Sequence, residues 1–237
     1  KKIINNFDSD DFKYLSESDF IIICAPMSAY KKIFTIINKH KSPNAIITDI
    51  GSTKENIIAI AESTLSNNSD CFIGSHPLTG KETSKIISYE ENLFDKAVVL
   101  MTPTRKKNKA LINKVSKFWK SLKCQVKSIS PQLHDLVLSE TSHLPHLVSF
   151  ALVNIILNTK SIKNIKDYTG GGFRDFARLA HSDGRMWNDI CRTNEKNIIS
   201  SINLLIKELG SIKKIIKNND NSLHQYLNGI KTKLDKK

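Results

Sequence analysis

The chain has 237 residues, enough for one large domain or two modest ones, and 40% of them are hydrophobic, which allows a sizeable core. The formal net charge of +13 would suit a nucleic-acid partner, but the lysines are spread along the chain and only 7% of residues are aromatic. A basic surface that attracts anionic metabolites is therefore favoured over an RNA-binding surface, and we expect no nucleic-acid partner.

The sequence also argues against a membrane or a metal. No apolar run approaches the roughly 20 residues that cross a bilayer, and residues 1–19 lack the pattern of a secretory signal. The four cysteines are widely spaced and form no C-x-x-C pair, so neither a zinc site nor a disulfide framework is predicted. We expect a protein of the reducing cytoplasm, with no membrane partner and no bound metal.

Short apolar segments alternate with helical patterns in the first half of the chain. The predicted strands are Phe20–Pro26, Ala45–Ile50, Cys71–Ser75, Ala97–Met101 and Cys124–Ile129. Helices are predicted from residue 27 to about 39, through about 65 after the second strand, and over about 107–122. Repeated strand–helix units of this length predict a parallel sheet with right-handed crossovers.

After Ser130 the strand signals stop and the pattern becomes helical. Residues 131–158 predict one long helix with a kink at Pro145, and a triglycine at 170–172 breaks the chain. A long amphipathic helix is predicted from about Arg185 to Leu209, and the polar tail after Lys217 is expected to be loosely ordered. We therefore expect a fold of α/β plus all-α type, divided into domains 1–130 and 131–237.

Three predicted strands end in notable residues, at the sheet edge where α/β proteins bind ligands. They are Ala25-Pro26, Asp49 to Ser52, and His76-Pro77. His76 suits a general base at neutral pH, although a structural loop histidine is the alternative. Ser52 could orient that imidazole, and its spacing to Glu55 also predicts that Ser52 caps the following helix.

The helical half contains two further polar clusters. A wedge of roughly 80° on the long helix is polar between leucine flanks, which indicates either a site or a satisfied buried network between helices. This wedge contains Asp135, Ser139, Ser142, His146 and Ser149. Arg174 and Arg178 lie one helical turn apart after the triglycine and could clamp a carboxylate; a flexible hinge with a surface Arg–Asp pair is the alternative.

Taken together, these segments resemble one family along almost the whole chain. The matching runs are Thr48–Lys54, Gly74–Glu82, Glu91–Phe94, His134-Asp135, Ser142–His146, Gly170–Arg178, Ser182-Asp183, Met186-Trp187 and Asn194. In this order they resemble the prephenate and arogenate (cyclohexadienyl) dehydrogenases. The resemblance implies a partial Rossmann-type domain over 1–130 and a helical dimerisation domain over 131–237.

The resemblance also implies an activity. It is the oxidative decarboxylation of prephenate to 4-hydroxyphenylpyruvate in tyrosine biosynthesis, with arogenate as a possible second substrate. NAD or NADP would accept the hydride, with NAD slightly favoured, and the protein would act as a homodimer. Histidine at position 146 resembles enzymes that use prephenate more than those specific for arogenate.

The same resemblance implies a role for each candidate site residue. His76 would accept the hydroxyl proton, and Ser52 would position His76 beside the nicotinamide. Contacts with the cofactor are implied for Ala25, Pro26, Asp49 and Ser52. Substrate contacts are implied for Arg178 as the carboxylate clamp, Ser142 and His146 as helical-domain contacts, Glu82 as a gating acid and Gly171 as a loop residue reaching the other subunit's site. Trp187 is expected either beside the pocket or as a core tryptophan.

The sequence departs from the family pattern at its start. No Gly-x-Gly-x-x-Gly turn follows a predicted strand, so we expect the first βαβ unit, with its phosphate-binding turn and ribose-reading acid, to precede Lys1 in a longer gene product. Two other functions stay open. One is a relative that acts on other hydroxy acids, and the other is a non-catalytic remnant that serves as a dimerisation or regulatory partner.

Overall fold

The computed structural model describes residues 12–65, 70–80, 90–104, 108–159, 164–218 and 221–236. All five predicted strands are present, in one sheet with the order β1-β2-β3-β4-β5. They are β1 (Phe20–Ile23), β2 (Ile46–Asp49), β3 (Phe72–Pro77), β4 (Val98–Thr102) and β5 (Gln125–Ser128). Strands β1, β2 and β3 run parallel, so their carboxyl ends lie along one edge of the sheet.

The prediction of a sheet that is parallel throughout is wrong at β4. This strand runs antiparallel to β3, with His76 opposite Leu100, and β5 then pairs parallel with β4. Residues 91–96, which lead toward β4, form turns. An antiparallel neighbour does not need the crossover connection that a parallel neighbour needs.

Helices cover both faces of the sheet. The short α1 (Tyr14–Glu17) precedes β1, a 3₁₀ turn (Met27–Ala29) leads into α2 (Tyr30–His40), and α3 (Glu55–Thr64) follows β2. The side chain of Ile47 packs in one core cluster with α2 and α3. The side chain of Ile46 packs on the other face, with α4 (Lys109–Ser121). This alternation of side chains along a strand is what divides the core into two layers.

The second half is helical, as predicted. Its elements are α5 (Pro131–Leu138), a π-helical turn (Ser139–His143), α6 (Leu144–Leu157), a 3₁₀ turn (Ile165–Tyr168), α7 (Gly171–Ala180), α8 (Gly184–Thr193), α9 (Glu195–Lys217) and α10 (Ser222–Asp235). The irregularity expected at Pro145 is a π turn placed directly before it. Proline has no N–H to donate to the preceding turn, and a π turn accommodates that loss within a continuous helix.

Two helix predictions need correction. The amphipathic run from Arg185 to Leu209 is two helices, because the chain breaks at Asn194, whose φ of −123° is not helical. The tail after Lys217 is α10, and the hydroxyl of Tyr226 donates a hydrogen bond to Glu208 on α9. Apolar residues at helical spacing in this tail allow it to pack along α9 in spite of its polar composition.

The long helical segment predicted over residues 131–158 is more apolar than the absence of a bilayer-length apolar run leads us to expect. Residues Pro131–Leu157 form 27 helical residues of mean hydropathy 1.2, which by length and composition alone could span a membrane. The segment carries buried His134, Asp135 and His143, each with a polar partner on a neighbouring element. These contacts join the segment to β3, to the start of α3 and to Asn194 through buried polar groups.

Helices α8 and α9 pack against the α/β half. Trp187, Ile190 and Ile198 belong to the same buried cluster as the residues of α2 and α3. Polar contacts cross the same junction, because the Thr53 hydroxyl donates to the Thr193 hydroxyl over 2.9 Å. The edge of the sheet where β2 and β3 end therefore faces the helical half of the chain.

Candidate active site

His76 lies near the end of β3 and contacts a second histidine from the helical half. The distance between His76 Nδ1 and His134 Nε2 is 2.9 Å. His134 is fully buried in α5, which begins at Pro131 and is capped by the Ser130 hydroxyl accepting from the Leu133 N–H. Residues 58 positions apart in the chain are thus joined where the two halves meet.

Asp135 continues this chain of contacts. His134 Nδ1 lies 2.7 Å from Asp135 Oδ1, and the Asp135 carboxylate also accepts the backbone N–H groups of Lys54 over 2.8 Å and Glu55 over 2.9 Å. Those two N–H groups are at the N-terminus of α3. An acidic side chain from another helix therefore caps α3 and suits the positive end of its dipole.

The prediction that Ser52 caps this helix is wrong. Helix α3 starts at Glu55 with Lys54 at its N-cap, and the cap acceptors come from Asp135. Within the described part of the chain, no hydrogen bond joins the half-buried Ser52 to His76, whose partner is His134. Ser52 still lies at the sheet edge, so its contact with a bound nicotinamide stays a prediction.

The hydrogen bonds determine which ring nitrogens carry protons. The carboxylate of Asp135 accepts, so His134 Nδ1 donates and His134 Nε2 is the acceptor. Nδ1 of His76 must then donate to His134, which leaves the lone pair on His76 Nε2. Burial lowers the pKa of both rings, and the positive charges near His76 lower its pKa further, so both histidines are neutral at pH 7. His76 Nε2 is accordingly a base.

The hydrogen-bonded series His76–His134–Asp135 is called the relay from here on. A buried ion pair lies next to it. Lys54 Nζ is 2.5 Å from Asp49 Oδ2, and both side chains are 0% exposed. Asp49 also accepts from the Tyr30 hydroxyl and from the backbone N–H groups of Gly51 and Ser75. The resemblance implies that Asp49 binds cofactor, but the structure places its carboxylate in the interior with four donors. Burial beside Asp49 raises the pKa of Tyr30 above its ordinary value, so Tyr30 stays protonated.

Asn194 organises the opposite side of the relay. Its Nδ2 donates to the backbone carbonyl of Asp135 over 2.7 Å and to His143 Nδ1 over 3.2 Å, and its Oδ1 accepts from Asn197 Nδ2 over 2.8 Å. His143 is 1% exposed, and burial lowers its pKa to about 4. His143 is therefore neutral, with its proton on Nε2.

The residues of the helical polar wedge fall into two groups: some form a satisfied buried network, and the others lie at the candidate site. Ser139 and Ser149 belong to a satisfied buried network, because the Ser139 hydroxyl lies 3.0 Å from that of Ser201 and the Ser149 hydroxyl donates to the Phe176 carbonyl. Asp135 belongs to the relay. Ser142 and His146 face a different neighbourhood, formed with α8.

Three predicted substrate residues form one cluster beside His143. The rings of His146 and Trp187 stack with centroids 4.3 Å apart, and the ring of His143 meets Trp187 edge-on at 6.0 Å. His146 Nδ1 donates to the Ser142 carbonyl over 2.9 Å, which places the ring lone pair on Nε2 when the ring is neutral. This geometry rigidly orients His146 next to the relay.

The other predicted substrate residues lie farther out. Gly171 begins α7 and Arg178 lies in its last turn, and both are exposed. Helix α7 packs on α6, through contacts such as that between Ser149 and Phe176. Glu82 lies outside the described residues.

Three of the predicted cofactor residues lie at the sheet edge beside His76. Half-buried Ala25 and exposed Pro26 follow β1, and Ser52 follows β2 next to them in the sheet. Gly51 is required there, since an added Cβ would lie 2.7 Å from Ile57 Cδ1 and 2.9 Å from Asp49 Oδ2. The sequence contains no glycine turn for the diphosphate. No group of three or more metal-ligating side chains occurs among the residues that the structure describes.

Sequence reasoning alone does not identify three important residues: Lys54, His143 and the role of His134 as the partner of His76. The His134-Asp135 pair lies within a matching family motif, and Asp135 lies on the polar wedge, so a signal for His134 exists. Lys54 and His143 also lie within matching runs, Thr48–Lys54 and Ser142–His146, but the run alone gives them no role, because a lysine at a helix start and a histidine in an apolar helix have many ordinary explanations.

A sheet of this order, a neutral histidine at its carboxyl edge and a helical half packed beside it are the arrangement expected of a dinucleotide-dependent dehydrogenase. The family comparison is more specific. The chain matches the nucleotide-binding domain of prephenate dehydrogenase over residues 2–128 and the dimerization domain of prephenate dehydrogenase over residues 130–229. The chain therefore belongs to the prephenate dehydrogenase family.

Individual relatives agree with this assignment. The chain is 32% identical to a prephenate dehydrogenase of Bacillus subtilis over 176 residues, covering 74% of this chain and 47% of that protein. It is 28% identical to a cyclohexadienyl dehydrogenase of Zymomonas mobilis, covering 91% and 74%. A crystal structure of prephenate dehydrogenase from A. aeolicus with hydroxyphenyl propionate and NAD+ superposes with a TM-score of 0.87 at 33% identity, covering 96% and 80%. The chain thus spans about half the length of the Bacillus relative.

Proposed function

We propose that this protein catalyses the oxidative decarboxylation of prephenate to 4-hydroxyphenylpyruvate and carbon dioxide in tyrosine biosynthesis, with NAD+ or NADP+ as the oxidant. The observation that carries the proposal is the His76–His134–Asp135 relay, which leaves a neutral base at the dinucleotide edge of the sheet. When bound, the dinucleotide accepts a hydride from the ring carbon that bears the hydroxyl group. The crystal structure of the A. aeolicus relative contains NAD+, which favours NAD over NADP.

His76 supplies the acid–base chemistry of the reaction. Its Nε2 takes the hydroxyl proton as the hydride leaves, so the carbon–oxygen bond becomes a carbonyl. The ring carboxylate then departs as carbon dioxide, and its bonding electrons flow into the ring to give a phenolate. His76 returns its proton to that phenolate, so no net proton is released. His134 and Asp135 stabilise the imidazolium that exists between these two steps.

Charge and position favour the remaining substrate roles. Arg178 offers a guanidinium fork for a carboxylate of the substrate, and Ser142, His146 and Trp187 form the wall beside the relay. Glu82 as a gating acid and Gly171 as a loop residue from the other subunit complete the proposal. His146 favours prephenate, whereas the match to a cyclohexadienyl dehydrogenase supports arogenate as a second substrate.

We also propose that the protein is a cytoplasmic homodimer and that each chain consists of two domains with a boundary near residue 130. The dimerization-domain match supports pairing through the helical half, as do the exposed apolar residues of its long helices, such as Ile199, Ile206 and Ile216. None of the four cysteines, all within the described ranges, forms a disulfide, which suits a reducing compartment.

The test is dehydrogenase activity measured as reduction of NAD+ and of NADP+, with prephenate and arogenate in separate reactions. We expect turnover with prephenate, and a loss of at least about 10²-fold in kcat for His76→Asn, because a general base is removed. Turnover that survives in this variant contradicts the role of His76.

Binding of NAD+ and NADP+ is measured on the same preparation by calorimetry, so that a failure to bind cofactor is separated from a failure of the chemistry. Inactivity with all four substrate pairs contradicts the proposed function and favours a non-catalytic dimerisation partner or another hydroxy-acid substrate.

A further inference from the structure

The side chain of Lys54 lies beneath the proposed base, and the mechanism above does not use it. Its Nζ donates to Asp49 Oδ2 over 2.5 Å and to the backbone carbonyl of Ser75 over 2.7 Å. Its own backbone N–H donates to Asp135 Oδ1 over 2.8 Å. Ser75 directly precedes His76, and Asp135 orients His134. Lys54 therefore contacts one end of the relay, Asp135, through its backbone, and through its side chain it contacts the residue that precedes the other end, His76.

The surroundings of Lys54 are built to hold a buried ammonium group. The lysine side chain is 0% exposed, and lysine is almost never fully buried unless it is paired. Gly74 leaves the room that this side chain occupies, because an added Cβ would lie 3.3 Å from Lys54 Cδ and 2.6 Å from Thr102 Oγ1. Three further donors hold the Asp49 carboxylate in place: the Tyr30 hydroxyl and the N–H groups of Gly51 and Ser75.

We propose that Lys54 is a positioning residue for the base, whose ammonium group and backbone N–H together hold the relay in register and keep His76 uncharged. The proposal rests on the role given to His76 in the proposed function. The ammonium group acts on His76 through space as well as through Ser75. The positive charge of Lys54 favours the neutral form of the His76 imidazole, and the hydrogen bond to Asp49 keeps the ammonium group in this position.

The charges around His76 agree with this role. After burial, the contributions that lower the pKa of His76 come from His134 on α5, Lys54 before α3 and His143 in the π turn. The carboxylates of Asp135 and Asp49 act on His134, the hydrogen-bond partner of His76, and both raise the pKa of His134. Burial lowers the pKa of Lys54 itself, and the Asp49 carboxylate, which accepts a hydrogen bond from the ammonium group, opposes that effect.

The test is a pH titration of the protein labelled with ¹⁵N-histidine, followed by NMR of the ring nitrogens. Three variants are compared with the wild type: Lys54→Met, the double variant Lys54→Met/Asp49→Asn, and Lys123→Met as a control. Lys123 is matched because it also pairs with an aspartate, Asp95, at 3.1 Å, but in an exposed position. The His76 signals are assigned by their absence in His76→Asn.

We expect the His76 titration to move to higher pH in both Lys54 variants and to stay at its wild-type position in Lys123→Met. In Lys54→Met we also expect a smaller fraction of His76 protonated at Nδ1, because the relay loses its register. The double variant leaves no unpaired buried charge, so it keeps the experiment decisive when the single variant does not fold.

A folded Lys54 variant that titrates His76 at the wild-type pH with the wild-type tautomer overturns the proposal. A purely structural lysine would give that result in the double variant, where stability is restored by removing both charges. The NMR measurement needs neither substrate nor cofactor. Failure of the proposed function appears instead in the turnover assay of His76→Asn, so the two failures are distinguishable.

Discussion

His143 is held neutral in the interior of the protein, and this makes folding depend on pH. Burial lowers its pKa from 6.5 to about 4, and Asn194 donates to its Nδ1. In the unfolded chain His143 takes up a proton below its ordinary pKa, whereas the folded protein resists protonation until about pH 4. The stabilisation is complete above pH 6.5 and is lost as the pH falls through that window.

We therefore expect the free energy of unfolding to fall by a few kcal/mol between pH 6.5 and pH 4. His76 and His134 contribute with the same sign, since burial lowers their pKa values too. Urea unfolding at a series of pH values measures the slope. His143→Gln is the control, because its side-chain oxygen can still accept from Asn194 but does not titrate; a slope equal to that of the wild type would count against His143.

Single residues also show how far sequence reasoning reaches. His76 is predictable, since a histidine after a buried strand lies at the ligand-binding edge of a sheet. Its partner is not, because Ser52 and His134 are both reasonable candidates until the helical half is placed. The cofactor contact implied for Asp49 stays a prediction. The structure adds what the sequence does not show, that four interior donors contact its carboxylate.

At the scale of the element, helix α3 depends on α5 for its N-terminal cap. The two carboxylate oxygens of Asp135 accept from three donors, namely the N–H groups of Lys54 and Glu55 and Nδ1 of His134. A helix N-terminus without acceptors leaves unsatisfied N–H groups, which costs stability. The same side chain thus stabilises a helix of the α/β half and determines the tautomer of a histidine in the helical half.

Asp135→Asn tests both roles in one variant. An amide has one acceptor oxygen and one NH2 group, so at least one of the three donors loses its acceptor. We expect a loss of about 1–2 kcal/mol in the free energy of unfolding. We also expect kcat to fall by at least about 10²-fold with a smaller change in KM, because His134 can turn to the other tautomer and leave the proton on His76 Nε2.

Urea unfolding and steady-state kinetics measure the two effects of Asp135→Asn separately. Asp189→Asn is a suitable control, since the Asp189 carboxylate also accepts a backbone N–H between the two halves, from Ser28 over 2.9 Å, but takes no part in the relay. A variant at Asp135 that loses stability and keeps its kcat would restrict this residue to the capping role.

Element boundaries and element directions differ in how well the sequence predicts them. Every predicted strand is present within a few residues, because buried strands need uninterrupted apolar runs. The direction of β4 and the break at Asn194 are not predictable in the same way. The first depends on how the chain returns to the sheet, and the second on hydrogen bonds from Asn194 to α5 and the π turn.

At the scale of the whole molecule, the apolar surface of α9 requires a partner. Exposed Ile199, Ile206, Leu209 and Ile216 lie within about 100° of one another around this helix. The exposed fractions of Ile206 and Ile216 are 62% and 59%. A continuous apolar stripe of this kind is typical of an interface, and a second copy of the chain would cover it.

We expect the wild-type protein to sediment as a dimer and the double variant Ile206→Lys/Leu209→Lys to sediment as a monomer, because charges placed in an apolar interface lose their hydration. Analytical ultracentrifugation over a range of concentrations provides the measurement. Ser200→Lys adds a charge to an exposed position on another face of α9 and should leave the dimer intact. A dimer that persists in the double variant would place the interface elsewhere.

The sequence by itself determined the positions of the strands, the α/β-then-helical order and the placing of His76 at a ligand-binding edge. Each of these depends on local hydrophobic periodicity and on the residues next to a strand end. The tertiary structure alone decided that His134 and Asp135 complete the base, that Lys54 lies beneath it, and that β4 reverses. These features join residues 58 and 81 positions apart in the chain, and only the packed interior, where unpaired polar groups are costly, selects such partners.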